Sequence, residues 1–338
     1  MGIKGDIKEI IRNLGEINFE DKVILVTGGA GFLGSWICNV LVEQGANVIC
    51  MDNLSSGLES NISELLDIEN FRFIKHDVSK PIKLSEDKID LIIHLASRAS
   101  PLEFDKYPIE IIKANTIGTM NMLELAKKHD ARFVFASTSE VYGDAKIIPT
   151  PETYYGDVNP IGVRSCYNES KRCGEAICIA YFKQYGIDVR IARIFNVYGP
   201  KMRADGVYGR VIPRFITQAL KNDTITIFGD GKQTRSFCYV TDQTEGLLRL
   251  AWFDNCIGEV INIGNPNEIT ILELAQMIKK ITKSKSEIKF YPAMPEDPRR
   301  RCSDVTKARK LLNWSPKVEL NEGLKKTIKW FKNHLGYN

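Results

Sequence analysis

Three features of this 338-residue sequence predict an α/β fold, a doubly wound parallel sheet with a smaller mixed α/β lobe at the C-terminal end. Short β-branched or apolar runs alternate with longer amphipathic ones, the pattern of βαβ units. Several short runs are apolar at consecutive positions, as in Val23-Ile24-Leu25-Val26 and Leu91-Ile92-Ile93, which suits strands covered on both faces. Glycines at Gly28, Gly31 and Gly34 mark the passage from the first such strand into a helix.

Residues 1–20 mix Lys, Asp, Glu and Arg with scattered Ile and Leu and are set apart as an N-terminal extension. They lack the basic start, apolar middle and small-residue cleavage site of a secretory signal. Strands are expected over Val23–Thr27, Asn47–Met51, Phe71–Lys75, Asp90–Leu95, Arg132–Ser137 and Asp188–Arg193, and helices over Leu33–Glu43, Ile109–Lys128 and Tyr167–Tyr185. Residues 21–199 make one domain on this reading. After Gly199-Pro200 the segments shorten and charge grows denser. Helices around Pro213–Lys221, Ile271–Ile281 and Glu322–Phe331 fit a lobe over 200–338 that is interleaved with the first domain. Residues 236–265 are expected to return partly to that domain, with Glu259–Ile263 a candidate strand of the main sheet.

Composition narrows the function classes. With 43% apolar and 26% charged residues and a net charge of +4, the chain has the make-up of an ordinary globular protein. Its longest uninterrupted apolar run, Ala176 to Phe182, is far shorter than the roughly 18 residues of a membrane span. The eight cysteines form no C-x-x-C pair and the four histidines no H-E-x-x-H. Reduced thiols, a cytoplasmic setting and no metal are therefore expected. Residues 279–338 carry 16 basic against 6 acidic side chains, but no nucleic-acid motif accompanies them, so a solvated Lys-rich surface is the expectation.

The glycine segment points to a dinucleotide. Gly28 permits the tight turn, Gly31 close approach of backbone to a pyrophosphate, and Gly34 close packing of helix on sheet, with Phe32 and Leu33 opening the helix. The helix terminus offers unpaired N–H groups and partial positive charge. Asp52, followed by Asn53, ends the next strand; a carboxylate there accepts both ribose hydroxyls and repels a 2′-phosphate, which favours NAD over NADP. Asp77-Val78 after the third strand and Leu95-Ala96-Ser97 after the fourth border the same crevice. Asp77 has two readings, a partner for the adenine amino group or a loop cap.

Tyr167 and Lys171 stand at i, i+4, on one helix face. A free Tyr titrates near pH 10; a neighbouring ammonium and a positive nicotinamide ring are expected to lower it toward use as a base. Upstream lies the strand-end cluster Ser137-Thr138-Ser139-Glu140-Val141-Tyr142-Gly143.

With these motifs in this order, joined by Asn115 in Ala114-Asn115-Thr116 and by Arg193-Ile194-Phe195-Asn196, the chain resembles the extended short-chain dehydrogenase/reductase family over nearly its whole length. The resemblance implies a Rossmann-type domain, NAD as cofactor and a nucleotide-activated sugar oxidised at C4. It places Asn115 among the cofactor residues with Tyr167 and Lys171. Ser139-Glu140, Asn159-Pro160-Ile161-Gly162 and Gly231-Lys232-Gln233-Thr234-Arg235-Ser236-Phe237 look like the UDP-glucuronate decarboxylases of that family. The implied reaction is that of a lyase: UDP-glucuronate to UDP-xylose through a 4-keto intermediate. In it Tyr167 is the base, Thr138 the partner of the C4 oxygen, and Ser139, Glu140 and Arg235 act around the carboxylate and C5. Sugar 4,6-dehydratases, which have Asp-Glu after the Thr, and UDP-sugar 4-epimerases are the alternatives within the family. A non-catalytic dinucleotide-binding regulator is the alternative outside it.

The same resemblance puts Asn196 and Arg301 on the diphosphate, Phe228 on the uracil and Arg214 in the substrate site. Arg235 is otherwise a surface ion pair, and Arg299–Arg301 otherwise a solvated basic turn. One departure stands out. Arg98, in Ala96-Ser97-Arg98-Ala99-Ser100-Pro101, replaces a proline of the decarboxylase pattern; it either clamps a carboxylate, changes the substrate, or points to solvent. A homodimer through the helices over Ile109–Lys128 and Tyr167–Tyr185 is also implied, with no membrane and no nucleic acid as partner.

Overall fold

The computed structural model describes residues 2–203 and 210–336. It opens with a helix, α1 (Ile3–Leu14), and enters the main sheet at β1 (Val23–Thr27). There follow α2 (Phe32–Glu43), β2 (Asn47–Asp52), β3 (Phe71–Lys75) and β4 (Leu91–His94). The run expected as one helix after β4 is α3 (Pro108–Lys113), a π-turn over Ala114–Gly118 and α4 (Thr119–His129). β5 (Arg132–Thr138), α5 (Ser165–Tyr185) and β6 (Val189–Ile194) complete the βα repeats. The remainder is β7 (Val197–Tyr198), α6 (Val211–Lys221), β8 (Ile225–Phe228), β9 (Thr234–Ser236), β10 (Cys238–Tyr239), α7 (Val240–Trp252), β11 (Val260–Ile263), β12 (Glu268–Thr270), α8 (Ile271–Thr282), β13 (Ile288–Tyr291), β14 (Arg300–Arg301), α9 (Thr306–Leu312) and α10 (Leu320–Leu335).

Seven strands form the main sheet in the order β11-β6-β5-β4-β1-β2-β3, every pair parallel. The order reverses between β1 and β4, and the crevice at such a switch point is where ligands bind in open α/β sheets. Alternate residues serve opposite faces. Ile24 and Val26 join the core with Ile37 and Leu41 of α2 and Leu247 of α7. Leu25 joins the core with Met122 and Leu125 of α4 and Cys178 of α5. Two buried faces explain why the strands are apolar at consecutive positions. Val260–Ile263 does pair with β6, at the sheet edge.

The segment set apart as an extension is part of the first core. Ile7, Ile10 and Leu14 of α1, then Ile17 and Phe19, are buried with α2 and α7. Arg249 of α7 donates from Nη2 to the Asn13 carbonyl at 2.6 Å. In the lobe, β9 lies between β12 and β14, and β14 pairs with it in a register that sets Arg301 opposite Arg235. That register brings together two arginines separated by 65 residues of chain.

Candidate active site

A cleft of about 960 Å³ opens at the carboxyl ends of the central strands and continues into the lobe. Its wall takes in Gly28, Gly31, Phe32, Leu33, Gly34, Asp52, Asn53, Asp77, Val78, Leu95, Ala96 and Ser97 from the first domain. It also takes in Thr138, Ser139, Glu140, Tyr167 and Lys171, and, of the residues assigned to the substrate, Arg98, Asn196, Arg214, Phe228, Arg235 and Arg301. Asn115 is the exception. It is fully buried in the π-turn behind the wall, where its Nδ2 donates to Ser170 Oγ at 2.9 Å. It therefore braces α5, the helix of Tyr167 and Lys171, rather than lining the cleft.

The glycine loop is shaped by backbone. Gly28 has φ 69°, and a Cβ there would lie 2.9 Å from the Ala96 backbone. A Cβ on Gly34 would lie 2.7 Å from the Gly29 Cα, so α2 seats directly on the turn. Gly31 caps α2 with no side chain, which leaves the first-turn N–H groups to a ligand. Asp52 is anchored by two backbone donors, Ala30 N–H at 3.1 Å and Leu54 N–H at 2.8 Å, and its carboxylate faces the cleft. Burial pushes its pKa up and those two donors hold it back. An anion cradle beside a fixed carboxylate acceptor fits a dinucleotide with free ribose hydroxyls. Asp77 Oδ1 caps its loop, accepting from the Ser79 N–H and Oγ, both at 2.9 Å, and the residue also lines the cleft, where an adenine amino group would meet it.

Tyr167 is held by its ring, which stacks on Phe104 at 5.1 Å and 17°. Thr138 stands beside it in the cleft wall, its Oγ1 accepting from the Glu140 N–H at 3.2 Å. The expected lowering of the Tyr167 pKa by Lys171 is not produced by the protein's own groups, because burial outweighs them and pushes the phenol up. Lys171 is itself buried, which brings its ammonium down to about 7, and it donates to the Ala136 carbonyl at 2.7 Å. His94 is a packing residue: burial lowers it to about 3, and its Nδ1 meets Thr27 Oγ1 at 2.6 Å.

A chain of ion pairs closes the lobe side. Arg301 grips Glu140 with both terminal nitrogens. Arg164 reaches Glu140 at 3.4 Å and Asp297 at 3.1 Å, and Asp297 reaches Arg235 at 2.9 Å. Burial pushes the Glu140 carboxyl up, but the Arg301 and Arg164 charges outweigh it and hold the group at about 2. Arg301 thus engages a carboxylate of the protein, not only a phosphate position beside Asn196. Arg235 is buried in the cleft wall and is no surface pair. Of the basic triplet, Arg299 pairs with Asp230 and Arg300 with Glu268 on the exposed side, and Arg301 alone turns inward. Arg214 packs over Phe228 at 4.9 Å, and its Nε is buried with no hydrogen-bond partner.

Arg98 does not point to solvent. Its side chain pairs with the buried Glu103 and lies over the Tyr107 ring at 4.1 Å. Glu103, Arg164 and Asp297 are cleft residues that sequence reasoning did not assign. Asp297 stands two residues before the Arg299–Arg301 triplet, and Arg164 three residues before Tyr167. Their position beside those motifs was the only signal.

Comparison with known proteins identifies the family. The family model described as "NAD dependent epimerase/dehydratase family" matches residues 24–264. The chain is 46% identical to UDP-glucuronic acid decarboxylase 1 of Danio rerio, covering 98% of this chain and 80% of that protein. It is 48% identical to UDP-glucuronic acid decarboxylase 5 of Arabidopsis thaliana, covering 93% and 90%. Among solved structures, it is similar to a UDP-glucuronic acid 4-epimerase from Bacillus cereus in complex with UDP-glucuronic acid and NAD. There the TM-score is 0.81 at 33% identity, over 92% of this chain and 99% of that one.

Proposed function

This chain belongs to the NAD dependent epimerase/dehydratase family, and we propose that it converts UDP-glucuronate to UDP-xylose and carbon dioxide. NAD is the cofactor, held by the Gly28–Gly34 loop and Asp52, and supplies the oxidation of sugar C4 and its reversal. The observation that carries this reading is the Arg301–Glu140–Arg164–Asp297–Arg235 network in the wall that also holds Tyr167 and Thr138. Three guanidiniums in a partly buried wall suit a sugar with an acidic substituent and a diphosphate.

The residues divide the work. Tyr167 Oη takes the proton of the C4 hydroxyl, and Thr138 Oγ1 hydrogen-bonds the same oxygen as it becomes a carbonyl. Lys171, one turn along α5, adds positive charge when protonated, and with the cationic nicotinamide of bound NAD this would offset the burial that raises the phenol. With a ketone at C4, the C6 carboxylate is that of a β-keto acid. The C5–C6 bond breaks with its electron pair moving into the C4 enolate. Arg235 orients the departing carboxylate. C5 then takes a proton from water in place of the lost carboxyl group, and Ser139 and Glu140, the latter ionised in the free site, orient that water. Asn196, Arg214 and Arg301 hold the diphosphate, and Phe228 packs on the base.

The kinship with a UDP-glucuronic acid 4-epimerase favours a second reading, in which the ketone turns over and is reduced on its other face. Incubation of the purified protein with UDP-glucuronate separates the two. UDP-xylose with carbon dioxide is the expected product; UDP-galacturonate, or inertness with turnover of a UDP- or dTDP-hexose, rejects the decarboxylase. The Tyr167→Phe protein should keep its NAD and lose turnover.

A homodimer is the companion proposal. Ile109, Ile112, Ile117 and Met120 are exposed along α3, the π-turn and α4, an apolar stripe suited to a second copy. Sedimentation of the Ile112→Asp/Met120→Asp protein should show a monomer where the native chain shows a dimer. Eight unpaired cysteines, seven of them buried, suit a cytoplasmic setting.

A further inference from the structure

The network at the lobe side holds three guanidiniums, Arg164, Arg235 and Arg301, against two carboxylates, Glu140 and Asp297. Glu140 is taken up by Arg301 and Arg164. Arg235, given to the sugar carboxylate above, already carries one: its Nη2 lies 2.9 Å from Asp297 Oδ2. Resting on that reading, we propose that Asp297 is a positioning residue that holds the carboxylate seat on Arg235 and yields it to the carboxylate of the incoming sugar.

The two partners differ in freedom. Arg235 sits on the middle strand of the β12-β9-β14 sheet, its side chain 9% exposed, and donates from Nη1 to its neighbour's carbonyl, that of Thr234, at 2.8 Å. Asp297 lies in the irregular link from Tyr291 to Arg300, its side chain 31% exposed, directly after Glu296 at φ 52°. The guanidinium is the fixed half of the pair and the carboxylate the movable half, which on leaving Arg235 keeps its other oxygen on Arg164 Nη2, 3.1 Å away. Exchanging one carboxylate for another keeps the charge balance and the hydrogen bonds of Arg235. A sugar without a carboxylate has nothing to offer in exchange and leaves the pair closed. Once carbon dioxide has left, the pentose no longer competes and Asp297 re-pairs. Asp297 therefore weakens the grip on the acidic sugar and leaves the grip on the neutral product unchanged.

The test is calorimetric titration of the NAD-loaded protein with UDP-glucuronate and with UDP-xylose, native against Asp297→Asn. Removing the competing carboxylate should tighten UDP-glucuronate about fivefold, roughly 1 kcal/mol at 1.4 per tenfold, with UDP-xylose within about twofold of native. Asp297→Glu, which keeps a carboxylate, should stay near native, and Asp297→Ser serves if the Asn protein does not fold. Unchanged or weaker binding of UDP-glucuronate, or equal shifts for both ligands, overturns the proposal. Native turnover is measured alongside. No turnover with the selective tightening intact sinks the decarboxylase and leaves Asp297 standing; turnover without the tightening does the reverse.

Discussion

Gly34→Ala is the sharpest perturbation of the cofactor cradle. A Cβ at this position would sit 2.7 Å from the Gly29 Cα and 2.9 Å from the Gly28 carbonyl carbon, and nearer still to the Gly28 oxygen. Carbons in contact want about 3.5–4 Å. The first turn of α2 must therefore retreat by about 1 Å, or the loop must open, since both obstacles are backbone and no side chain can swing away. Overpacking of this kind costs about 1–3 kcal/mol, and a rigid obstacle puts it toward the upper figure. The retreating turn is the one whose N–H groups face the pyrophosphate, so the same cost falls on the bound state, roughly ten- to a hundredfold in affinity. The assay is nucleotide released per chain on heat denaturation, with a melting curve on the same sample. Gly2→Ala is the control, because nothing lies within 4 Å of its added Cβ. A Gly34→Ala protein with the native cofactor content and melting temperature refutes the cradle.

Three further outcomes follow from the charged groups. Lys171 falls from its usual 10.5 to about 7 through burial, so the unfolded chain binds the proton more readily between those values. Stability of the cofactor-free protein should rise with pH across that window, and Lys171→Met should flatten the rise in a pH series of melting curves while abolishing turnover. Glu140, held at about 2 against a usual 4.5, is ionised in the free enzyme at every working pH; its share of stability is present above 4.5 and lost as pH falls toward 2. Glu140→Gln should accordingly lower kcat/KM between pH 5 and 8 without moving its inflections; a displaced acid limb contradicts this assignment. Arg98→Ala strands the carboxylate of Glu103, which is 1% exposed, and should cost about 3 kcal/mol in denaturant unfolding, most of it restored in Arg98→Ala/Glu103→Gln.

What local pattern encodes was legible before the structure. The strands from Val23 to Arg193 announce themselves by runs of apolar residues that two helical layers must cover, and the glycine loop by spacing that only a tight turn requires. Other features escaped for physical reasons. The helix over Ile3–Leu14 carries its signal in Ile3, Ile7, Ile10 and Leu14, one face at helical spacing, masked by the charged residues between them. Asn115 stands in a helical motif, and only the π-turn shows that it bonds to Ser170 behind the wall. The partners of Glu140 and Arg235 come from the start of α5 and from the link before β14, distances along the chain that no periodicity spans. Arg301 reaches Glu140 because β14 pairs with β9 in one register; a slip of one residue would turn it to the other face.

The central claim is that a ketone at C4 precedes loss of the carboxyl group. Its most direct measurement is a single turnover of the NAD-loaded protein with UDP-glucuronate carrying hydrogen or deuterium at C4, with reduced-nicotinamide absorbance and carbon dioxide release followed together. Reduced nicotinamide that appears before carbon dioxide, with both slowed by deuterium, is the expected pattern. Carbon dioxide and pentose formed with no reduced-nicotinamide transient and no C4 isotope effect contradict it.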